Sequence, residues 1–187
     1  MSLAHLTQLA RLAEESATAL ETAVSHYVAL VKQTLVGDGK LLFAGNGGSA
    51  AHAQHIAAEY VVRYRLDGRR AAPALALTVD TSVLTAAAND LGFEQVFARQ
   101  VGALATPADL LVLISTSGNS PNLLCAAETA RARGVRTAAL LGGSGGRLRE
   151  LVDLAVVVPS SDAAHVQEIQ LAIDHLVCGM CEGLLGA

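Results

Sequence analysis

From residue 40 onward the chain alternates short apolar runs with helical stretches, and this alternation restricts the possible folds more than any other feature. The runs are Leu41-Leu42-Phe43-Ala44, Ala74-Leu75-Ala76-Leu77, Leu110 to Ile114, Val135 to Leu141 and Leu154 to Val158, bounded by Gly, Pro, Asp, Ser or Thr. Helical patterns fall between them near 49–64, 81–102, 121–133 and 146–151, and a last one covers about 163–185. Runs this short and this apolar predict strands buried on both faces. Their alternation with helices predicts an α/β fold, a three-layer, doubly wound sandwich around a five-stranded parallel sheet. In such a sheet ligands sit beyond the carboxyl ends of the strands, where loops run into helix N-termini.

Ahead of the first strand, Leu3, Leu6, Ala10, Ala13, Ala17, Leu20, Val24, Tyr27, Val28, Val31 and Leu35 recur every three or four residues. That spacing predicts one long amphipathic helix, ended by Gly37 and Gly39. Its apolar face exceeds what one small sheet can cover, so residues 1–36 are expected to serve oligomerisation and 37–187 to form the α/β core. No linker, repeat or low-complexity segment divides the 187 residues, and a single domain is expected.

Composition removes several classes. The 13 Lys and Arg against 17 Asp and Glu give a net charge of −4, and aromatic residues make up 3%. Without a basic stripe or a stacking platform, nucleic acid is not the expected ligand. No apolar run approaches the roughly 18 residues of a membrane span, and Met1 to Glu15 lacks the charged and apolar regions of a signal peptide, so a cytoplasmic protein is expected. Cys125, Cys178 and Cys181 are odd in number and suit a reducing compartment. Cys178-x-x-Cys181 lies mid-helix without a second pair, which favours packing over thiol chemistry.

Two loops carry phosphate-binding chemistry. Gly45-Asn46-Gly47-Gly48-Ser49 lets backbone approach a ligand closely, and Ser49 is placed to cap the helix whose N-terminus would face an anion. Gly45-x-Gly47-x-x-Ala50 also satisfies the loose dinucleotide fingerprint, but Asp67 and Asp80 both fall poorly for a ribose carboxylate. Ser115-Thr116-Ser117-Gly118-Asn119-Ser120-Pro121 offers four hydroxyls, with Ser120 at the cap and Pro121 at the first helical position. This cup lacks the lysine of a Walker loop, so it suits holding a phosphate rather than transferring one. Gly142 to Gly146 is expected to be a structural turn. Asn89-Asp90-Leu91-Gly92 fits either a helix C-terminus with Gly92 in a left-handed cap or a polar contact to substrate.

His55 and Glu59 stand four apart on one helix face, and His52 lies on that side too. The last helix carries His165, Gln167, Glu168, Gln170, Asp174 and His175, with Gln167 and His175 about two turns apart. Imidazole, carboxylate and amide oxygen suit a divalent ion of zinc type, although such groups are also ordinary on a solvated helix surface.

The residues Gly45 to Ser49, His55 to Glu59, Ala88-Asn89-Asp90-Leu91-Gly92-Phe93, Ile114 to Ser120, and Val166-Gln167-Glu168-Ile169 with His175 occur in the order and spacing of the bacterial sedoheptulose-7-phosphate isomerases, SIS-domain enzymes that the chain resembles over nearly its whole length. The resemblance implies interconversion of D-sedoheptulose 7-phosphate and D-glycero-D-manno-heptose 7-phosphate, the first step of nucleotide-activated heptose synthesis. It implies one zinc ion per subunit held by His55, Glu59, Gln167 and His175. It also implies substrate contacts from Asn46, Gly47, Gly48, Glu59, Asn89, Asp90, Ser115, Thr116, Ser117, Ser120 and Gln167, and a homotetramer with active sites between subunits. Aldose–ketose isomerisation needs one group to take a proton and another to give one, and Glu59 and His175 are the candidates. A carboxylate bound to zinc is a weaker base, which leaves the division of labour open, as does His52 as a substitute for His55. Two other readings within the same fold are a non-catalytic scaffold binding the replication initiator, which lacks the counterparts of Glu59 and His175, and a phosphosugar-binding regulator. Whether the heptose goes to lipopolysaccharide, a surface-layer glycan or a secondary metabolite is not written in these motifs.

Overall fold

The computed structural model describes residues 3–186. The elements in order are α1 (Ala4–Ala19), α2 (Glu21–Val36), β1 (Leu41–Gly45), α3 (Gly48–Val61), β2 (Ala74–Ala76), α4 (Thr81–Leu91), α5 (Val96–Leu104), β3 (Leu110–Ser115), α6 (Pro121–Ala132), β4 (Arg136–Gly142), β5 (Leu154–Val158) and α7 (Ala163–Glu182). All strand pairs are parallel, in the order β2-β1-β3-β4-β5. Side chains alternate between the two faces of each strand. Leu41, Phe43, Leu110, Val112, Ile114, Leu140 and Val156 meet Tyr27, Val31, Ile56, Tyr60 and Val177 of α2, α3 and α7. Leu42, Ala44, Leu111, Leu113, Ala139 and Leu141 meet Val101, Leu123 and Ala130 on the other side, with α4 and Val96 and Phe97 of α5. Both faces are therefore covered, and this is why the strand runs show no polar alternation.

The strand order decides where a ligand can sit. The chain leaves β1 for one edge of the sheet and returns to pair β3 against the other side of β1. The loop after β1 turns toward the α3 layer and the loop after β3 toward the α6 layer, so a crevice opens between them at the point where the strand order reverses. The glycine loop and the serine loop are those two segments.

Several boundaries differ from the sequence expectation. The long first helix is two helices joined at Leu20, whose ψ of −1 departs from helical geometry without a glycine or proline to mark it. Leu20 is buried in the core, and the bend lets it enter while Leu3 and Leu6 stay exposed. The stretch 81–102 breaks at Gly92 (φ 92, ψ 150), an extended positive-φ geometry rather than a left-handed cap, followed by a 3-10 turn over Phe93–Gln95. The pattern near 146–151 is only a 3-10 turn, Arg147–Glu150. α3 begins at Gly48 with Gly47 in the cap position (φ 54), which puts Ser49 inside the first turn rather than at the cap. Among the described residues no helix is long and apolar enough to cross a membrane.

The Gly142 to Gly146 turn supports the serine loop directly. Gly118 has φ 64, and a methyl group there would lie 1.9 Å from the carbonyl oxygen of Gly145. Gly134 has a similar φ of 69 with nothing nearby. Gly134→Ala is expected to cost about 1 kcal/mol, the left-handed strain alone. Gly118→Ala should cost about 2 kcal/mol or more because backbone must also move. Urea denaturation of the two variants measures the difference, and equal losses would contradict this packing.

Candidate active site

α3 and α7 run side by side in the same direction, with Gly48 against Gln167 at one end and His55 against His175 about two turns further on. The last C=O groups of a helix lack intrahelical partners, and at the end of α3 these include the carbonyls of Glu59 and Tyr60. Arg69 supplies some of them, donating from Nη1 to the Tyr60 carbonyl (2.9 Å) and from Nη2 to the Glu59 carbonyl. The end of α3 that carries Glu59 is therefore held by a buried guanidinium.

The structure brings His55, Glu59 and His175 together. His55 Nε2 lies 2.9 Å from His175 Nε2 and 3.7 Å from Glu59 Oε1. The two imidazoles meet edge to face, with centroids 5.1 Å apart. Burial, and then the neighbouring His55, push His175 below its ordinary pKa, with Glu59 pulling the other way. A neutral imidazole is the form that can ligate a metal. Zinc bonds of about 2.0–2.1 Å to nitrogen or oxygen imply tetrahedral edges of roughly 3.3 Å. The two separations here, 2.9 and 3.7 Å, lie on either side of that edge. Two imidazoles and a carboxylate that open to solvent on one side fit a zinc ion with a vacant position for substrate.

Gln167 lies against the glycine loop. Its side-chain amide covers Gly48, where a methyl group would lie 2.9 Å from Oε1. His52 is buried, with Nε2 2.8 Å from Asp174 Oδ2, while the Tyr27 hydroxyl donates to Asp174 Oδ1 at 2.8 Å. His52 thus faces the interior between α2, α3 and α7, and it is His55 that faces His175.

The segment after α3 completes the wall. Tyr64 stacks on His175, with centroids 5.3 Å apart and planes 9° from parallel, and the Arg65 guanidinium lies 4.9 Å from the Tyr64 ring centre. The segment is fastened by Glu182, which accepts from the backbone N–H groups of Tyr64, Arg65 and Leu66 and from Arg69 Nε (3.1 Å). Burial alone would raise the Glu182 carboxyl, but these donors outweigh it and hold the pKa below its ordinary value. Cys178 and Cys181 are buried near this wall, and burial pushes their thiols up to about 12 and about 11. Such thiols stay protonated and pack as small apolar groups.

The two loops are tied together by a reciprocal amide pair, Asn46 Nδ2 to Asn122 Oδ1 at 2.9 Å and Asn122 Nδ2 to Asn46 Oδ1 at 2.8 Å. In the serine loop, Ser115 Oγ accepts from Gly118 N–H and Ser117 Oγ from Asn119 N–H. Ser120 occupies the cap position of α6 but makes no side-chain capping bond, which leaves its hydroxyl for another partner. Asn89 and Asp90 are exposed on the last turn of α4, where the Asn89 amide donates to Asp90 at 2.7 Å.

Tyr64, Arg69, Asn122 and Glu182 carry no signal in the sequence, and Asp174 appears there only among the polar residues of the last helix. Each acts through a partner at least nine positions away, and neither spacing nor motif announces such a contact.

Residues 4–142 match the SIS domain family. The phosphoheptose isomerase of Chlorobaculum parvum is 50% identical over 179 residues, covering 95% of this chain and 86% of that protein. The chain belongs to the phosphoheptose isomerase family of SIS-domain proteins. Among solved structures of phosphoheptose isomerases, that from Francisella tularensis superimposes with a TM-score of 0.93 at 36% identity, covering 96% of this chain and 95% of that one. The one from Neisseria gonorrhoeae does so with a TM-score of 0.91 at 39% identity, covering 96% of each chain.

In this member of the phosphoheptose isomerases, Glu182 gives a direct test of the wall. A carboxyl whose pKa is depressed on folding contributes stability above its ordinary pKa and loses it as pH falls through the lowered value. Glu182→Gln should therefore lower stability at pH 7 by about 3 kcal/mol, leaving the Arg69 charge buried without its partner. The deficit should shrink as the pH is lowered below 4. A variant with unchanged urea midpoint at neutral pH would contradict the clamp.

Proposed function

We propose that the chain interconverts D-sedoheptulose 7-phosphate and D-glycero-D-manno-heptose 7-phosphate through an enediol. The observation that carries this reading is the meeting of His55, Glu59 and His175, two of them on the helix into which the glycine loop leads. The scaffold and regulator readings leave that cluster without a task.

Moving a carbonyl between C1 and C2 requires a proton to leave one carbon and another to arrive at its neighbour, while the two oxygens exchange theirs. Glu59 is assigned as the base at carbon, and His175 as the group that holds and returns a proton. His55, Glu59, Gln167 and His175 would hold one zinc ion per subunit, which when bound would stabilise negative charge on the sugar's C1 and C2 oxygens. Tyr64 keeps the His175 ring in plane through its stacked face. The hydroxyls of Ser115, Thr116, Ser117 and Ser120, with Asn46, Gly47 and Gly48, would hold the phosphate and so fix the far end of a seven-carbon chain. Exposed Leu3, Leu6, Leu176 and Met180 support a homotetramer, and exposed Asn89 and Asp90 would reach the sugar across a subunit boundary. Three free thiols suit a cytoplasmic setting.

The decisive assay follows aldose formation from sedoheptulose 7-phosphate by NMR in deuterated water. Product carrying solvent deuterium at C2 is expected, and absence of any product would overturn the proposal. Glu59→Gln should lower kcat on the order of 10²–10⁴-fold with an unchanged circular-dichroism spectrum. Ser117→Ala and Ser120→Ala should mainly raise KM. Near-normal turnover in Glu59→Gln would remove that residue as the base. Dialysis against a strong chelator should abolish activity and lower Tm, and an enzyme indifferent to it would contradict the zinc assignment.

A further inference from the structure

A second set of two imidazoles and a carboxylate lies two turns up α7 from His175. His5 Nε2 is 3.0 Å from Glu168 Oε1, and His165 Nδ1 is 2.9 Å from Glu168 Oε2, so one carboxylate oxygen faces each ring. The rings lie against each other with centroids 4.1 Å apart and planes 35° from parallel. One ligand atom from each residue falls within 4.8 Å of the others. The seven-residue step from Glu168 to His175 amounts to about 10 Å of helix, too far for one ion to serve both sets.

We propose that His5, His165 and Glu168 form a second divalent-cation site, one that clips the first turn of α1 to the first turn of α7. Imidazole and carboxylate donors suit zinc or a similar borderline ion. The His165 side chain is only 6% exposed, and the nitrogen it turns to Glu168, Nδ1, is the one that would ligate the ion. His5 and Glu168 are 51% and 38% exposed, which gives an ion an entry path and room for water in its remaining positions. The site also has work to do. α1 begins without a side-chain cap, Leu3 and Leu6 are exposed, and within the helix only Leu12 and Ser16 are buried. A cation joining residues 5 and 165 would hold this thinly packed end in place, stabilising the folded chain by mass action.

The test uses untagged full-length protein stripped with chelator and titrated with Co²⁺ and with Zn²⁺, bound metal being counted after equilibrium dialysis. His55→Ala is expected to keep one equivalent per chain, and adding His5→Ala to it should remove that equivalent. His165→Gln in place of His5→Ala should do the same and guards against a general loosening of α1. Excess Zn²⁺ should raise the Tm of His55→Ala, and the rise should vanish in both double variants. The active-site ion is the one that His55→Ala removes, so failure here is distinct from failure of the isomerase assignment. A His55→Ala chain that binds no metal, or double variants that bind as much as His55→Ala, would overturn the second site.

Discussion

The parallel packing of α3 on α7 is the contact on which the remaining chemistry depends. His55 and Glu59 are made neighbours by helix periodicity alone, but His175 is 120 positions from His55 and reaches it only because the two helices lie in register. Two buried polar arrangements hold that register. Near the middle, Asp174 bridges His52 of α3 and Tyr27 of α2. At the far end, Glu182 and Arg69 fasten the segment that leaves α3. Breaking a buried charged pair such as Arg69–Glu182 costs several kcal/mol, far more than any exposed ion pair contributes, so that pair fixes the end of α3 in a way the solvent-facing charges do not.

Close approach also needs small side chains. α3 carries alanine at 50, 51, 53, 57 and 58, and Gly179 of α7 leaves room for the Tyr64 ring, which a methyl group there would meet at 3.3 Å. The composition, with roughly a third of the chain Ala or Leu, is the same property seen from the sequence. Aromatic bulk is kept for a few positions where it directs something, as Tyr64 does for His175 and Tyr27 for Asp174. The strand order adds the other half of the site by opening a crevice between β1 and β3, across which the Asn46–Asn122 pair holds the two loops at a fixed distance. Gln167 of α7 lies over Gly48 at the glycine loop.

Much of this was legible in the linear chain because it is local. Strands appear as unbroken apolar runs, and the loops after β1 and β3 appear as glycine and hydroxyl clusters ahead of a helix. His55 and Glu59 appear at a helical interval. Bonds made through tertiary contact were not legible. No breaker residue marks the break between α1 and α2 at Leu20, a buried leucine. Ser120 has the right position and residue type to cap α6, yet its hydroxyl makes no capping bond. Nor could spacing choose between His52 and His55, since both lie on the same broad side of α3. Asp174 separates them, because it takes His52 inward and leaves His55 toward His175. The second imidazole cluster was invisible for a similar reason, since His5 and His165 come from opposite ends of the chain.

On the proposed reading, α3 and α7 together present one cation-binding face to the sugar. The most direct measurement is diffraction from crystals grown with zinc and a sugar phosphate, recorded on both sides of the zinc absorption edge. An anomalous peak touching His55, Glu59 and His175, with the phosphate seated against the serine loop, is the expected result. A peak elsewhere, with the His55 and His175 rings turned apart, would contradict the account.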